Sequence, residues 1–171
     1  SNANESKWDG ISLSSLSVPS TTSNNTIQAG SVSQPSSGIE VWNVKNTAPA
    51  SISGGTVSNA TNGIFVNNYD GYVSNATDGA HATITGVVIN VPAGGNGIRL
   101  YDNPASTHAN VQASIGAGVM VNGGQNGLVV ENTSASVTSM GSAAFSGQSD
   151  FYIKLISNAN NMDATSATFE G

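Results

Sequence analysis

Asn62-Gly63-Ile64-Phe65-Val66-Asn67-Asn68 is a strand phrase that the chain writes repeatedly, and its repetition decides the fold. After the glycine, apolar residues recur at every second position, the mark of a half-buried strand, and amide side chains close the run. Five other segments fall into register: Gly10-Ile11-Ser12-Leu13, Gly38-Ile39-Glu40-Val41-Trp42-Asn43, Gly97-Ile98-Arg99-Leu100-Tyr101-Asp102, Gly127-Leu128-Val129-Val130-Glu131-Asn132 and Asp150-Phe151-Tyr152-Ile153-Lys154-Leu155. Their anchors at 10, 38, 63, 97, 127 and 150 stand 23 to 34 residues apart, which makes the chain an array of imperfect repeats.

A second phrase recurs between copies of the first. Ile27-Gln28-Ala29-Gly30-Ser31-Val32, Ile52-Ser53-Gly54-Gly55-Thr56-Val57, Ile84-Thr85-Gly86-Val87-Val88-Ile89, Ile115-Gly116-Ala117-Gly118-Val119-Met120 and Met140-Gly141-Ser142-Ala143-Ala144-Phe145 each set two apolar residues five apart around glycine. An odd separation puts two residues of a flat strand on opposite faces, so both point inward only if the chain turns a corner between them. Ala48 and Ala50, Ala80 and Ala82, and Val111 and Ala113 alternate just upstream, so each repeat supplies about three short strands. Leu16 and Val18 continue the first strand's alternation, Pro19 to Asn25 reads as a polar loop, and Tyr69–Gly79 and Pro104–Asn110 read as insertions on the outside of the stack. Ala164 to Phe169 reads as the beginning of a further coil, so the array is expected to continue in a longer parent chain; Ser1-Asn2-Ala3 has the look of a tag remnant, leaving 4–171 as one domain.

Stacked at the strand spacing of about 4.8 Å, equivalent residues form columns. Ile11, Ile39, Ile64, Ile98, Leu128 and Phe151 make one inward column, and Leu13, Val41, Val66, Leu100, Val130 and Ile153 the next. Asn43, Asn68, Asp102 and Asn132 close the strand and form a structural ladder of hydrogen-bonding side chains. Asn62, Asn96 and Asn126, each before a glycine, read as sharp turns with positive φ. The outward columns are Ser12, Glu40, Phe65, Arg99, Val129, Tyr152 and Ser14, Trp42, Asn67, Tyr101, Glu131, Lys154.

Charged residues are 8% of the 171, and the net charge is −6 with four cations, so there is no basic patch for nucleic acid or anionic membrane. Ser, Thr, Asn and Gly must wet the surface, while the regular placement of the 37% hydrophobic residues argues against disorder. No apolar run is long enough to span a bilayer and no secretory leader is visible; the absence of cysteine suits passage through an oxidising compartment, or is chance.

Over residues 10–169 the repeated Gly-Ile-x-Val-x-Asn and Ile-x-Gly-x-x-Val phrases resemble right-handed, single-stranded parallel β-helix proteins. The expected fold is therefore all-β, a solenoid of about six coils of 23–34 residues. The Cys-free, Ser/Asn/Gly-rich, charge-poor style is similar to the passenger domains of bacterial autotransporters of the pertactin and adhesin kind. That resemblance implies a virulence-type adhesin, secreted and held at the bacterial cell surface by a C-terminal outer-membrane barrel or released. Its partners would be a host-surface protein or glycan, or neighbouring bacterial cells.

Function is expected on the outward face. Glu40, Trp42, Phe65, Asn67, Arg99, Tyr101, Glu131, Tyr152 and Lys154 mix aromatic rings with several of the chain's few charges, a set suited to stacking on sugars or gripping a protein. The same rings equally satisfy strand propensity and cross-strand packing. Tyr69, Asp70 and Tyr72 are a candidate recognition loop, or a plain solvated one. Glycoside hydrolysis needs two carboxyl groups about 5 to 9.5 Å apart. Glu131 and Asp102 come nearest, yet Asp102 belongs to the ladder and should point elsewhere. His81 and His108 lack ligand spacing, so no catalytic residue, metal or cofactor is expected. The alternative is a carbohydrate-active enzyme of the polysaccharide lyase or glycoside hydrolase type, or a phage tail-spike fragment, cutting a glycan on that face.

Overall fold

A computed structural model describes residues 8–14, 20–29, 36–42, 44–45, 49–68, 78–104 and 110–171. Along the chain run β1 (Trp8–Ser14), β2 (Ser20–Ser23), β3 (Thr26–Gln28), β4 (Ser36–Trp42), β5 (Val44–Lys45), β6 (Ala50–Ser53), β7 (Thr56–Ser58), β8 (Asn62–Asn67) and β9 (Asp78–Thr85). They are followed by β10 (Val88–Val91), β11 (Asn96–Tyr101), β12 (Val111–Ile115), β13 (Met120–Gly123), β14 (Asn126–Glu131), β15 (Ala135–Met140), β16 (Ala144–Ser146), β17 (Phe151–Ile156) and β18 (Thr168–Glu170). No helix occurs among the described residues, and hence none long and apolar enough to cross a membrane.

Each coil returns a strand to the same sheet, where it pairs in parallel with its counterpart from the coil before. The first sheet has the order β1-β4-β8-β11-β14-β17, the second β15-β12-β9-β6-β2 and the third β18-β16-β13-β10-β7-β3; among the described residues the one antiparallel pair is β5 with β9. Three parallel sheets wound by one chain make a parallel β-solenoid. Ile64 lies between Ile39 and Ile98 in register, as the columns require.

The core is the space between the three walls. Ile39, Ile64, Ile98 and Leu128 from the first sheet meet Ile52, Ile84 and Ile115 from the second and Val57, Ile89, Val121 and Phe145 from the third, all buried. Burial of each such side chain contributes roughly 1.5–3 kcal/mol, repeated coil after coil. Ala50, Ala82 and Ala113 share one register row of the second sheet and are buried, as their alternation predicts; Ala48 lies outside the described residues.

The corner phrase is a true bend. Ile52 and Val57 are both buried, and Gly54 and Gly55 between them have φ of 61° and 83°, the left-handed region that glycine enters without penalty. In two copies the bend differs from the expected phrase. Ile27 pairs with Val57, not Ile52, so the first corner runs from Thr22 to Ile27 and uses Asn24, with φ 53°, where later coils use glycine. Asparagine tolerates that conformation because its short polar side chain bonds locally. In the fourth coil Val121, not Met120, is the inward residue; Met120 is 42% exposed.

Other departures have equally local causes. Ser20–Ser23, expected as loop, is a strand, because the edge of β6 supplies backbone partners that composition does not reveal. Asp150 is not the sixth anchor: Asn126 pairs with Phe151 and Leu128 with Ile153, so Tyr152 holds the place that glycine holds in earlier coils. Ile153 and Leu155 therefore continue the two inward rows in register; Ile153 packs against the core, while Leu155 is 46% exposed. Thr168–Glu170 does not open a further coil either; β18 pairs with β16 and completes the third sheet of the coil that β17 begins. Leu16, Val18, Asn43 and the Tyr69–Asp70–Tyr72 segment lie outside the described residues.

Candidate functional site

The outward side of the first sheet is built by register. Ser12, Glu40, Phe65, Arg99, Val129 and Lys154 form one column, and Ser14, Trp42, Asn67, Tyr101, Glu131 and Ile156 the other. Two expected members are thus displaced. Lys154 moves to the Arg99 column. Tyr152 leaves the face altogether: it packs against the core, its ring tilted on Phe169 at 5.5 Å.

Within the face, side chains are tied to one another from coil to coil. Trp42 Nε1 donates to Ser12 Oγ (3.1 Å), and Asn67 Nδ2 donates to Glu40 Oε1 (2.9 Å). Arg99 Nη2 donates to Glu131 Oε2 at 2.7 Å, an ion pair whose side chains are 30% and 15% exposed. The same guanidinium stands 5.2 Å from the ring centre of Phe65 and 5.3 Å from that of Tyr101. Such cation–π contacts are worth about 0.5–1 kcal/mol at exposed sites and more when water is excluded. Arg99 is thus held on three sides, and its Nε is buried without a hydrogen-bond partner. Lys154 Nζ lies 5.3 Å from the Phe151 ring centre.

This self-pairing explains why the face is less open than its residue types suggest. Phe65, Asn67 and Val129 are buried, whereas Glu40, Trp42, Arg99, Tyr101, Glu131 and Lys154 are half-buried. Trp42 and Tyr101 share a column two strands apart, about 10 Å, with Asn67 between them.

The carboxylates do not converge. Glu40 and Glu131 lie three strands apart, about 14 Å, beyond the reach of either glycosidase geometry. Asp102, one strand from Glu131, is buried in the ladder: Asn68 Nδ2 donates to its Oδ1 (2.6 Å) and the Ser134 amide to its Oδ2 (3.1 Å). Asn132 Nδ2 donates to the Asp102 carbonyl (2.7 Å), and Asn68 Oδ1 accepts the Asn103 amide (2.6 Å). The expected ladder is present at Asn68, Asp102 and Asn132, with side chains clamping backbone turns as much as one another. Among the described residues no group of three His, Asp or Glu side chains could hold a metal ion.

Two further ladders were not anticipated. Asn96 Nδ2 donates to Asn62 Oδ1 (3.1 Å) and Asn126 Nδ2 to Asn96 Oδ1 (2.9 Å), inside strands and without the positive φ expected of Asn-Gly turns. Phe151 takes the next place, and Asn126 Oδ1 ends the row buried and unpaired. On the third sheet Asn90 Nδ2 donates to Ser58 Oγ (3.3 Å), Asn122 Nδ2 to Asn90 Oδ1 (3.0 Å) and Ser146 Oγ to Asn122 Oδ1 (3.1 Å). Their signal in the sequence was the polar residue that directly follows each inward Val57, Ile89, Val121 and Phe145. No protein-family model, curated protein or solved structure matches the chain.

Proposed function

We propose that the chain is a non-catalytic structural and adhesive segment of a secreted bacterial surface protein, of the autotransporter-passenger kind. A rigid solenoid carries a half-buried aromatic and polar face to a host protein, a glycan or a neighbouring cell. The observation that carries this reading is the engagement of both described acids on the face, Glu40 with Asn67 and Glu131 with Arg99, and of Asp102 inside the neighbouring ladder. A general acid or nucleophile needs a partner carboxyl across a substrate-sized gap, and here each is held by an amide or a guanidinium. Trp42 and Tyr101, aligned along the solenoid axis, remain partly accessible for stacking.

The test is binding of the chain to immobilised extracellular-matrix proteins and arrayed glycans, alongside Trp42→Ala and Tyr101→Ala. Saturable binding that both variants weaken by about thirtyfold or more, the scale of a hot-spot residue, supports the reading. Release of reducing ends from a polysaccharide, abolished by Glu131→Gln, overturns it in favour of a carbohydrate-active enzyme.

A further inference from the structure

The second sheet is one strand short. The coil that places β17 in the first sheet and β18 in the third contributes no strand beyond β15. Residues 157–167 cross that side of the solenoid without strand structure, with Met162, Ala164 and Ala167 packed against the core. No backbone hydrogen bond joins 158–166 to β15. Side chains cap only the start of β15 and the turn before it: Asn158 Nδ2 donates to the carbonyls of Asn132 (2.5 Å) and Ala135 (2.7 Å), and Asn160 Nδ2 to those of Thr133 (2.9 Å) and Ala135 (2.8 Å).

The second half is open. Beside it is a cavity of about 520 Å³ lined by Val137, Thr138, Ser139 and Met140 on one wall and Asn161, Met162 and Asp163 on the other. That volume lies within the range of ligand-binding clefts. Thr138 is unopposed by β12, a bulge within this stretch of the edge. The Gly141 amide donates to Ile115 O at 2.7 Å, toward β12, so by the alternation of a strand the backbone groups of Met140 face the cavity.

We infer that this notch is a binding site for an extended peptide segment of a basic partner, which adds to the β15 edge as the missing strand of the second sheet. Four residues of edge suffice in this fold, where β3, β7, β16 and β18 are themselves three residues long. Val137 and Met140 continue the inward rows of Ala113 and Ile115, so the segment presents small or branched apolar residues inward and hydroxyl or amide residues outward. Charge chooses the partner. Asp163 stands on the far wall with Oδ1 taken by the Thr165 amide and hydroxyl, at 3.0 and 2.7 Å, while its Oδ2 has no protein donor. A second copy of this chain would bring a net charge of −6 to that carboxylate, whereas a basic segment supplies its counterion. Main-chain pairing gives such a site its affinity and the side-chain rows its selectivity.

The experiment is fluorescence anisotropy with a labelled ten-residue peptide that alternates valine with serine and carries two lysines, together with hydrogen exchange of the complex. Saturable binding is expected, with slowed exchange across 137–140. Asp163→Lys, at an exposed position, should weaken binding about two- to fivefold, the worth of one exposed ion pair. The same peptide N-methylated at alternate residues should not bind. Equal affinity for the methylated peptide, protection elsewhere than 137–140, indifference to Asp163→Lys or no saturable binding each overturns the site. A chain that is dimeric in solution with 137–140 already protected assigns the notch to a second copy and overturns the peptide reading.

Discussion

Gly97 shows how much one hydrogen atom decides. A Cβ there would lie 2.2 Å from Val121 Cγ1 and 2.5 Å from the Gly127 carbonyl, so the first sheet approaches the third only where a side chain is missing. Gly97→Ala should cost about 1–3 kcal/mol, the usual penalty of overpacking, read as a lower urea midpoint. At the equivalent place in the last coil Tyr152 is tolerated because its neighbour there, Phe169, is itself at the open surface, 43% exposed. His81 is a second case. Its Nε2 is buried without a hydrogen-bond partner, and desolvation holds its pKa below the ordinary 6.5. The unfolded chain then binds the proton more readily than the folded one, so stability is full above pH 6.5 and declines as the pH falls below it. Thermal melts between pH 7.5 and 5 should show this decline in the native chain and a shallower one in His81→Gln; parallel profiles would refute the assignment.

At the scale of the element, strands are joined by side-chain rows as well as by backbone ladders. Asp102 accepts from both Asn68 and the Ser134 amide, two donors on different coils. Asp102→Ala leaves the buried Asn68 amide and the half-buried Ser134 amide without that acceptor and should cost about 1–3 kcal/mol. Asp102→Asn should fall between, since it offers one carbonyl oxygen in place of two. Denaturant unfolding of the three proteins orders them, and an alanine variant as stable as the native chain would show the ladder to be ornamental. The Arg99–Glu131 pair contributes less than its 2.7 Å length suggests, because Arg99 is 30% exposed and water screens it.

At the scale of the molecule, the described outward face of the first sheet is largely paired with itself, whereas the coil of β17 and β18 leaves apolar side chains exposed. Phe151, Leu155, Ile156 and Phe169 are 36–49% exposed, and β17 and β18 lie at the edges of their sheets. A long apolar edge invites pairing with another chain, and a charge blunts it. Leu155→Lys should therefore reduce concentration-dependent association in sedimentation or light scattering, with little loss of thermal stability. Unchanged association would place the sticky surface elsewhere.

The repeat of Gly-Ile-x-Val-x-Asn carried the solenoid on its own. A period-2 strand that recurs every two dozen or more residues can bury its apolar side only against its own copies, so Ile39, Ile64 and Ile98 had to align. What single residues could not reveal was phase where a copy degenerates. Asp150 imitates an anchor, but packing sets Ile153, not Phe151, against Leu128, so Lys154 takes the place expected of Tyr152, which leaves the face. The outward face was legible as a set of residues and not as a surface, because whether Arg99 is offered to a ligand or spent on Glu131, Phe65 and Tyr101 depends on distances across coils. The missing strand beside β15 was invisible for the same reason: a pattern records which residues prefer a strand, while an unpaired edge is a relation between strands that exists only once the chain has closed on itself.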